Sequence, residues 1–237
     1  KVSVDVAKLN PGSYQHRFTT TDKSMLPHVS IVIPTRGDTS RVWGAATCMV
    51  ENTVQNIVDN STYPSFDIVV VRDVNPDGSM VHPFTLPVMK NLKFVDFYES
   101  FNIAAKWNAG VLASRGEIVV VLDDDTQIES ADWLEQLIGQ FQFSNTGIVG
   151  PMLLQLDSRI DSAGISTSPR IRHIGNGDSS TQAGHMGVIS VARSAIGVSG
   201  ACMSFRRSVF DMVGGFSEHY QYANADLDFC LKASLEG

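Results

Sequence analysis

Cysteine is scarce in this chain. Three residues in 237, Cys48, Cys202 and Cys230, lie far apart with no CxxC pair, which excludes a disulfide framework and a cysteine zinc site and favours a reducing compartment. A basic surplus is missing as well: 18 Lys and Arg face 25 Asp and Glu, for a formal charge of −7. That balance argues against a nucleic-acid binder, although it leaves room for a local basic pocket. No apolar run approaches the length of a membrane span, and neither a signal peptide nor an internal repeat is visible. The chain opens on Lys1 rather than Met, so it is expected to be a piece of a longer protein. Its 237 residues suffice for one large α/β domain or two small ones.

The most informative stretch is GEIVVVLDDDTQ, Gly116 to Gln127. Five apolar residues, Ile118 to Leu122, four of them β-branched, predict a strand buried on both faces. It runs into Asp123, Asp124 and Asp125. Three charges cannot stay inside a buried strand, so they must emerge at its carboxyl end, where open α/β sheets place their ligands. Alternation puts Asp123 and Asp125 on one side and Asp124 on the other. Two converging carboxylates form a hard-oxygen site suited to Mg²⁺ or Mn²⁺ carrying a diphosphate. Alone, the triplet is equally consistent with a solvated acidic turn, and Asp124 is expected to be the solvent-facing or turn-forming member.

Around this stretch the pattern alternates. Residues 1–27 carry weak periodicity and are expected to be a linker or the tail of a preceding element, with one domain over 28–237. VSIVIP predicts a strand, and Asp38, Thr39 or Ser40 is expected to cap a helix carrying Val42, Ala46, Met49, Val50, Ile57 and Val58. Asp67 to Val71 and Leu92 to Phe97 predict two more strands, with a loop over 79–91 between them. FNIAAKWNAGVLAS predicts a helix stopped by Gly116, and Ser130 or Asp132 opens another. Gly147 to Pro151 is a short strand candidate. From Asp157 to Ala195 both periods vanish, so the region is expected to be disordered or a flap over a ligand. VSGACMSFRR predicts a strand entering a helix that Gly214 terminates. In the last helix Leu227, Leu231 and Leu235 stand in step, and Asp228 pairs with Lys232 one turn on. This alternation gives an α/β fold with a mostly parallel, Rossmann-like sheet flanked by helices.

The ordered set VSIVIPTRGD, IVVVRDVNPDG, FNIAAKWNAGVLASRGEIVVVLDDDTQIESADWLE, VSGACMSFRRSVFDMVGGFSE and ADLDFCLKA resembles the family-2 glycosyltransferases of the GT-A fold. The FNxAxxxNxG, AGIS and DxDFCLK segments are especially similar to bacterial enzymes that build rhamnan and O-antigen polysaccharides. The resemblance implies that Pro34, Thr35 and Arg36 contact the nucleotide, and that Asn108 and Gly110, with Gly116, lie beneath the sugar nucleotide. It implies Asp123 and Asp125 as the DXD metal pair, with Asp125 the direct metal ligand and Asp123 nearer the ribose or metal of the donor, and Gly200 and Ala201 as the floor of the donor-sugar site. Gly214, Gly215, Phe216 and Glu218 match a stretch that faces the acceptor, and Asp226 matches the catalytic base of inverting members. Implied partners are a UDP-, dTDP- or GDP-linked sugar, a glycan or lipid-linked acceptor and further domains of the same protein. Implied surroundings are the cytoplasm or the inner face of the membrane.

The sequence also departs from that pattern. Arg72 stands where the family usually has a base-reading aspartate, leaving Asp73 as the candidate contact. Trp107, Ala225 and Ser217 replace the usual Arg, Glu or Asn, and Asp, and the chain stops before a downstream histidine that often completes the metal site, so the domain is expected to be truncated. These departures keep a non-catalytic sugar-nucleotide or glycan-binding domain as the alternative. A sugar nucleotidyltransferase is disfavoured, because VSIVIPTRGD holds only Gly37 where a glycine-rich signature loop would stand. Arg36, Arg170, Arg172, Arg193, Arg206 and Arg207 could each touch a diphosphate or an anionic acceptor, but a solvated surface position is the safer expectation for any single one. His173 and His185 match no metal spacing, and Trp43, Trp107 and Trp133 read as core.

Overall fold

The computed structural model describes residues 2–6, 14–19, 26–42, 44–184 and 187–237; Trp43 and His185 lie outside them. Six strands build the central sheet: β1 (Val29–Thr35), β2 (Phe66–Asp73), β3 (Leu92–Phe97), β4 (Ile118–Leu122), β5 (Ile148–Val149) and β6 (Cys202–Arg206). They lie in the order β3-β2-β1-β4-β6-β5. The first four in that order are parallel, while β6 runs against β4 and β5. Five helices cover the sheet: α1 (Met49–Asn60), α2 (Ile103–Ala113), α3 (Trp133–Gly139), α4 (Arg207–Val213) and α5 (Ala225–Glu236).

Strand alternation explains the three layers. Ile31 and Ile33 of β1, with Ile118, Val120 and Leu122 of β4, point to one side and pack on Val50, Val54 and Ile57 of α1 and Leu134 and Ile138 of α3. Val32, Val119 and Val121 point the other way, into a layer formed by α2, α4 and α5 with Val111, Val209, Phe210 and Phe229. Every residue of β1 and β4 is buried, and each such aliphatic side chain contributes about 1.5–3 kcal/mol relative to exposure. α2 sits unusually close to the sheet. A Cβ on Gly110 would fall 2.2 Å from Val32 Cγ1 and 2.9 Å from Val71 Cγ2. A mid-helix glycine that costs ~1 kcal/mol in propensity is therefore required by the packing.

Three sequence expectations change. The helix does not begin at 38–40: Thr39–Val42 and Ala45–Cys48 pair as an antiparallel ribbon first, and α1 starts at Met49. Thr39, Val42 and Thr47 are β-branched and suit a strand, and Asp38 serves α1 only through its backbone carbonyl, which accepts from Met49 N at 3.0 Å. Second, the patternless stretch from 157 is folded where described. Leu153–Leu154 pairs with Ile160–Ser162, Ile165–Ser166 pairs with Arg172–His173, and Ile160 and Ile165 are buried. Strands of two or three residues are too short to show a period. Third, Leu227, Leu231 and Leu235 do not share a buried face. Leu231 and Leu235 are exposed, and Leu227, Phe229 and Cys230 carry the packing of α5.

Other expectations hold. Gly214 adopts φ 75° as the left-handed C-cap of α4, and Lys232 Nζ lies 3.1 Å from the Asp228 carboxylate. Residues 1–27, expected as a linker or the tail of a preceding element, contain a paired ribbon among the described residues: Val2–Val6 pairs with Tyr14–Phe18. That ribbon docks on α3, where Gln136 exchanges hydrogen bonds of 3.0 and 2.9 Å with the backbone of Phe18, and Arg17 pairs with Asp132 at 2.8 Å.

Candidate active site

β4 ends at Leu122, and the acidic triplet emerges beside the start of β6, where Asp123 N donates to Ala201 O at 3.0 Å. An open cavity of about 460 Å³ lies there, within the range of small-ligand sites. Its walls include Pro34, Thr35 and Arg36 from the tip of β1, Asp123 and Asp124 beyond β4, Gly200 and Ala201 before β6, and Asp226 from the first turn of α5. The carboxyl ends of parallel strands thus converge with one helix N-terminus on a single hollow.

Its electrostatics are dominated by negative charge. Burial, followed by the charges of Asp125, Asp124 and Asp226, pushes the Asp123 carboxyl up to about 7. Burial also pushes Asp124 up, opposed by a hydrogen bond that Thr35 Oγ1 donates to its Oδ2. Asp124 forms a turn, as one of its two expectations had it, but it is a wall of the cavity rather than solvent-facing, because that turn folds back onto β1 and α1. Thr53 Oγ1 fixes that turn, lying 2.6 Å from Asp124 O and 3.0 Å from Thr126 O. Asp125 is exposed and stands outside the lining, though its charge acts on both neighbours.

Beneath the tip of β1 lies a buried cation. Lys106 Nζ donates to Thr35 O at 2.9 Å and pairs with Asp73 Oδ1 at 2.7 Å, while its side chain is 1% exposed. It also faces the Phe97 and Phe101 rings at 5.9 and 5.8 Å. Burial lowers its pKa, and Asp73 and Asp124 oppose that shift. Asp73 is thereby engaged by Lys106 and does not line the cavity. Arg72, in the usual aspartate's place, turns to the sheet edge, 2.6 Å from Asp96 and over the Phe94 ring.

The opposite wall is built around Gly200. Its N–H donates to Asp226 Oδ2 at 2.9 Å, while Asp226 Oδ1 accepts from Leu227 N at 2.8 Å. A Cβ on Gly200 would fall 2.3 Å from Trp107 Cη2 and 3.3 Å from Asp226 Cβ. Trp107 is core, as expected, but its edge also borders the cavity. Trp133, by contrast, packs away from it and donates to Ser61 Oγ at 2.9 Å.

Other predicted residues support the hollow from behind. Asn108 Oδ1 accepts from Phe216 N at 2.9 Å, and its Nδ2 donates to Phe216 O at 3.0 Å and Glu218 Oε1 at 2.9 Å. Phe216 is buried against Trp107 and Phe229, and Gly215 O accepts from Lys232 Nζ at 2.9 Å. Gly110 faces the sheet. Asn108, Gly110, Gly215, Phe216 and Glu218 are thus outside the cavity lining, and their contacts join α2 to the loop before α5. Arg206 and Arg207 are likewise structural; Arg207 bridges Gly116 O at 2.8 Å and Ser114 Oγ at 2.6 Å.

With that geometry in view, residues 30–214 match the family model described as Glycosyl transferase family 2. The chain belongs to that family. It is similar to the uncharacterised protein y4gI of Sinorhizobium fredii, 30% identical over 226 residues, covering 89% of this chain and 23% of that protein. It is also similar to the O-antigen biosynthesis protein RfbC of Myxococcus xanthus, 24% identical over 246 residues, covering 99% of this chain and 18% of that protein. The chain thus spans about a fifth of the length of these curated relatives. Among solved structures it is similar to the mannosyltransferase PcManGT of Pyrobaculum calidifontis in complex with GDP-Man and Mn²⁺. The TM-score is 0.59 at 18% identity, covering 91% of this chain and 54% of that one. It is similar too to S. aureus TarS 1-349, with a TM-score of 0.51 at 16% identity, covering 88% and 55%. The fold is GT-A.

Several residues of this family-2 glycosyltransferase that border the cavity were not singled out as site residues by the sequence: Phe101, Lys106, Tyr222 and Ile171. A lysine on the otherwise apolar face of α2 was the one available signal. His173 also borders the cavity, its Nδ1 2.8 Å from Ser162 Oγ. Among the described residues, no three His, Cys, Asp or Glu side chains are grouped to hold a metal, and no helix is long and apolar enough to cross a membrane.

Proposed function

We propose that this chain is a metal-dependent, inverting glycosyltransferase domain that moves a sugar from a nucleotide donor to a glycan or lipid-linked acceptor in cell-envelope polysaccharide synthesis, on the cytoplasmic side. The observation that carries the reading is the facing of Asp226 and the Asp123–Asp124 turn across one cavity, with Asp226 near enough to raise the Asp123 pKa. Acidic groups on both walls fit the two tasks of glycosyl transfer: stabilising a diphosphate leaving group and deprotonating a hydroxyl.

The donor set fits a divalent cation. Asp123 is destabilised as an anion by burial and then by its acidic neighbours, and Mg²⁺ or Mn²⁺ is commonly held by one or two carboxylates with substrate phosphates completing its shell. Of the expected pair, Asp123 would hold it from the cavity wall, with Asp125 beside it outside the lining, and the cation would supply positive charge to the diphosphate oxygens. The relative solved with GDP-Man and Mn²⁺ supports that choice of ligand.

The chain's own residues would do the rest. Arg36, half exposed at the tip of β1, would meet the diphosphate, with Pro34 and Thr35 against the nucleotide. Gly200 and Ala201 leave a floor without bulky side chains for the donor sugar. Asp226, its Oδ2 held by the Gly200 N–H, would accept the acceptor's hydroxyl proton as the new bond forms at the anomeric carbon opposite the leaving diphosphate. A single base with direct displacement inverts that carbon.

Donor turnover with Mn²⁺ tests this, comparing the native chain with Asp226→Asn and Asp123→Ala across UDP-, dTDP- and GDP-linked sugars. Transfer lost in Asp226→Asn with donor binding retained supports the base assignment. Donor binding without turnover in the native chain would instead identify a non-catalytic sugar-nucleotide-binding domain. Binding of no nucleotide sugar would sink both readings.

A further inference from the structure

Two aromatic rings at the mouth of the cavity have no part in the chemistry so far. Phe101, just before α2, and Tyr222, in the loop before α5, stack at 5.5 Å between centroids with planes 25° apart. Both border the cavity that holds Asp226, yet both remain open to water, Phe101 at 37% and Tyr222 at 76% exposure. Tyr222 in particular keeps most of its surface outside, which a side chain serving only to fill the core would not. Rings bury large apolar area, and removing it from water is the main return on their presence.

The pair is also held in place. Ile103 N donates to Gln221 O at 2.9 Å, and Asn102 Nδ2 donates to Glu218 O at 2.9 Å. Asn102 Oδ1 caps α2 by accepting from Ala105 N at 3.1 Å. These bonds clamp the loop carrying Tyr222 to the end of the helix beside Phe101. Behind Phe101, Lys106 lies 5.8 Å from the ring centroid, fixing its inner face.

We infer that Phe101 and Tyr222 form a stacking platform for a sugar ring of the acceptor, beside Asp226 at the mouth of the cavity. Pyranosides present a face of C–H groups bordered by hydroxyls, which suits an exposed aromatic surface beside polar walls. The cavity's charge selects among them. Four carboxylates, Asp38, Asp123, Asp124 and Asp226, border it against two cations, Arg36 and Lys106, of which Lys106 is already paired with Asp73, so a neutral glycan is favoured over an anionic one. This inference rests on the glycosyltransferase reading for the word acceptor, but glycan stacking can be measured without turnover.

The test uses neutral oligosaccharides of rhamnose, mannose, glucose and N-acetylglucosamine as probes for saturation-transfer NMR. Native chain, Tyr222→Ala, Phe101→Ala/Tyr222→Ala and Tyr222→Phe are compared, with calorimetric nucleotide-sugar binding as the check that the cavity is intact. Expected is saturation transfer to ring C–H protons of at least one probe in the native chain, lost in the alanine variants and kept in Tyr222→Phe. The acceptor KM should rise about tenfold in Tyr222→Ala, the scale of truncating one aromatic anchor. Equal probe binding in the native chain and the double variant, or binding by neither, would overturn the platform whether or not the chain turns over a donor. Glycan binding lost in the variants of a chain that shows no turnover would uphold the platform and count only against the enzymatic reading.

Discussion

The Asp226 carboxylate is held by the backbone N–H of Gly200 at 2.9 Å, and the space at Gly200 is closed on its other side by Trp107. The position of the proposed base therefore depends on a residue with no side chain. Packing of α2, through Trp107, reaches the first turn of α5 by way of that one backbone position. Structure and proposed chemistry meet here.

Gly200→Ala is expected to damage both stability and transfer. Its Cβ would stand 2.3 Å from Trp107 Cη2, and overpacking of this kind costs about 1–3 kcal/mol. Relief requires either the indole or the Gly200 backbone to move, and the latter carries the hydrogen bond to Asp226. The expected outcome is a lower Tm by thermal melting, together with a loss of kcat that exceeds any change in donor affinity. Full activity at normal Tm would show that the contact is slack.

A pH dependence follows from Asp123. Its folded-state value, pushed up to about 7, lies above the ordinary 3.8 that the unfolded chain would show. Between those values the folded state binds more protons, so stability falls as pH rises through this window. In EDTA, the Tm of the native chain should rise on going from pH 8 to pH 6 by more than that of Asp123→Asn. Saturating Mn²⁺ should raise the Tm of the native chain more at pH 8, where the carboxylate is free of its proton. Parallel pH profiles for the two chains would rule this out.

Much of this arrangement was legible in the sequence, for identifiable reasons. β1 and β4 are buried on both faces, so their apolar runs are continuous, and the switch from Leu122 to Asp123 marks where the strand leaves the core. Gly214 and the Asp228–Lys232 pair were readable because caps and one-turn pairs are local. What could not be read depends on distant contacts. Asp124 lines the cavity because Thr35 and Thr53, 89 and 71 residues away, bond to it. Asp73 is taken up by Lys106 from another element. Asn108 and Phe216, matched to site motifs, act from behind the hollow because they bond to each other. A motif gives the residue types, and only the packing decides which of them face the ligand.

The thiols give a simple check on the packing. Burial pushes Cys202 up to about 12 and Cys230 up to about 11, and raises Cys48 as well. Since the thiolate is the reactive form, native chain at pH 8 should react with a disulfide reagent slowly at Cys48, which is half-buried, and not measurably at Cys202 and Cys230. All three should react at once in denaturant. Rapid native labelling of Cys202, on the strand beside β4, would mean that the sheet opens there.

Lys106 offers the sharpest separation of structure from chemistry. Its ammonium is buried against Asp73, and breaking such a pair from one side typically costs about 3–5 kcal/mol, because the remaining carboxylate keeps only the longer 4.0 Å contact with the half-exposed Arg36. Lys106→Met should therefore unfold at a much lower denaturant concentration, and Lys106→Met/Asp73→Asn should recover a large part of the loss, since neither charge then remains. Recovery of stability does not imply recovery of function. The Lys106 Nζ bond to Thr35 O holds the tip of β1 where Thr35 also bonds to Asp124, and the double variant lacks it. The expected result is a double variant with near-native melting and weakened nucleotide-sugar binding by calorimetry. Native binding by that variant would confine Lys106 to a role in stability, and failure of the second substitution to restore folding would show that Asp73 is not its principal partner.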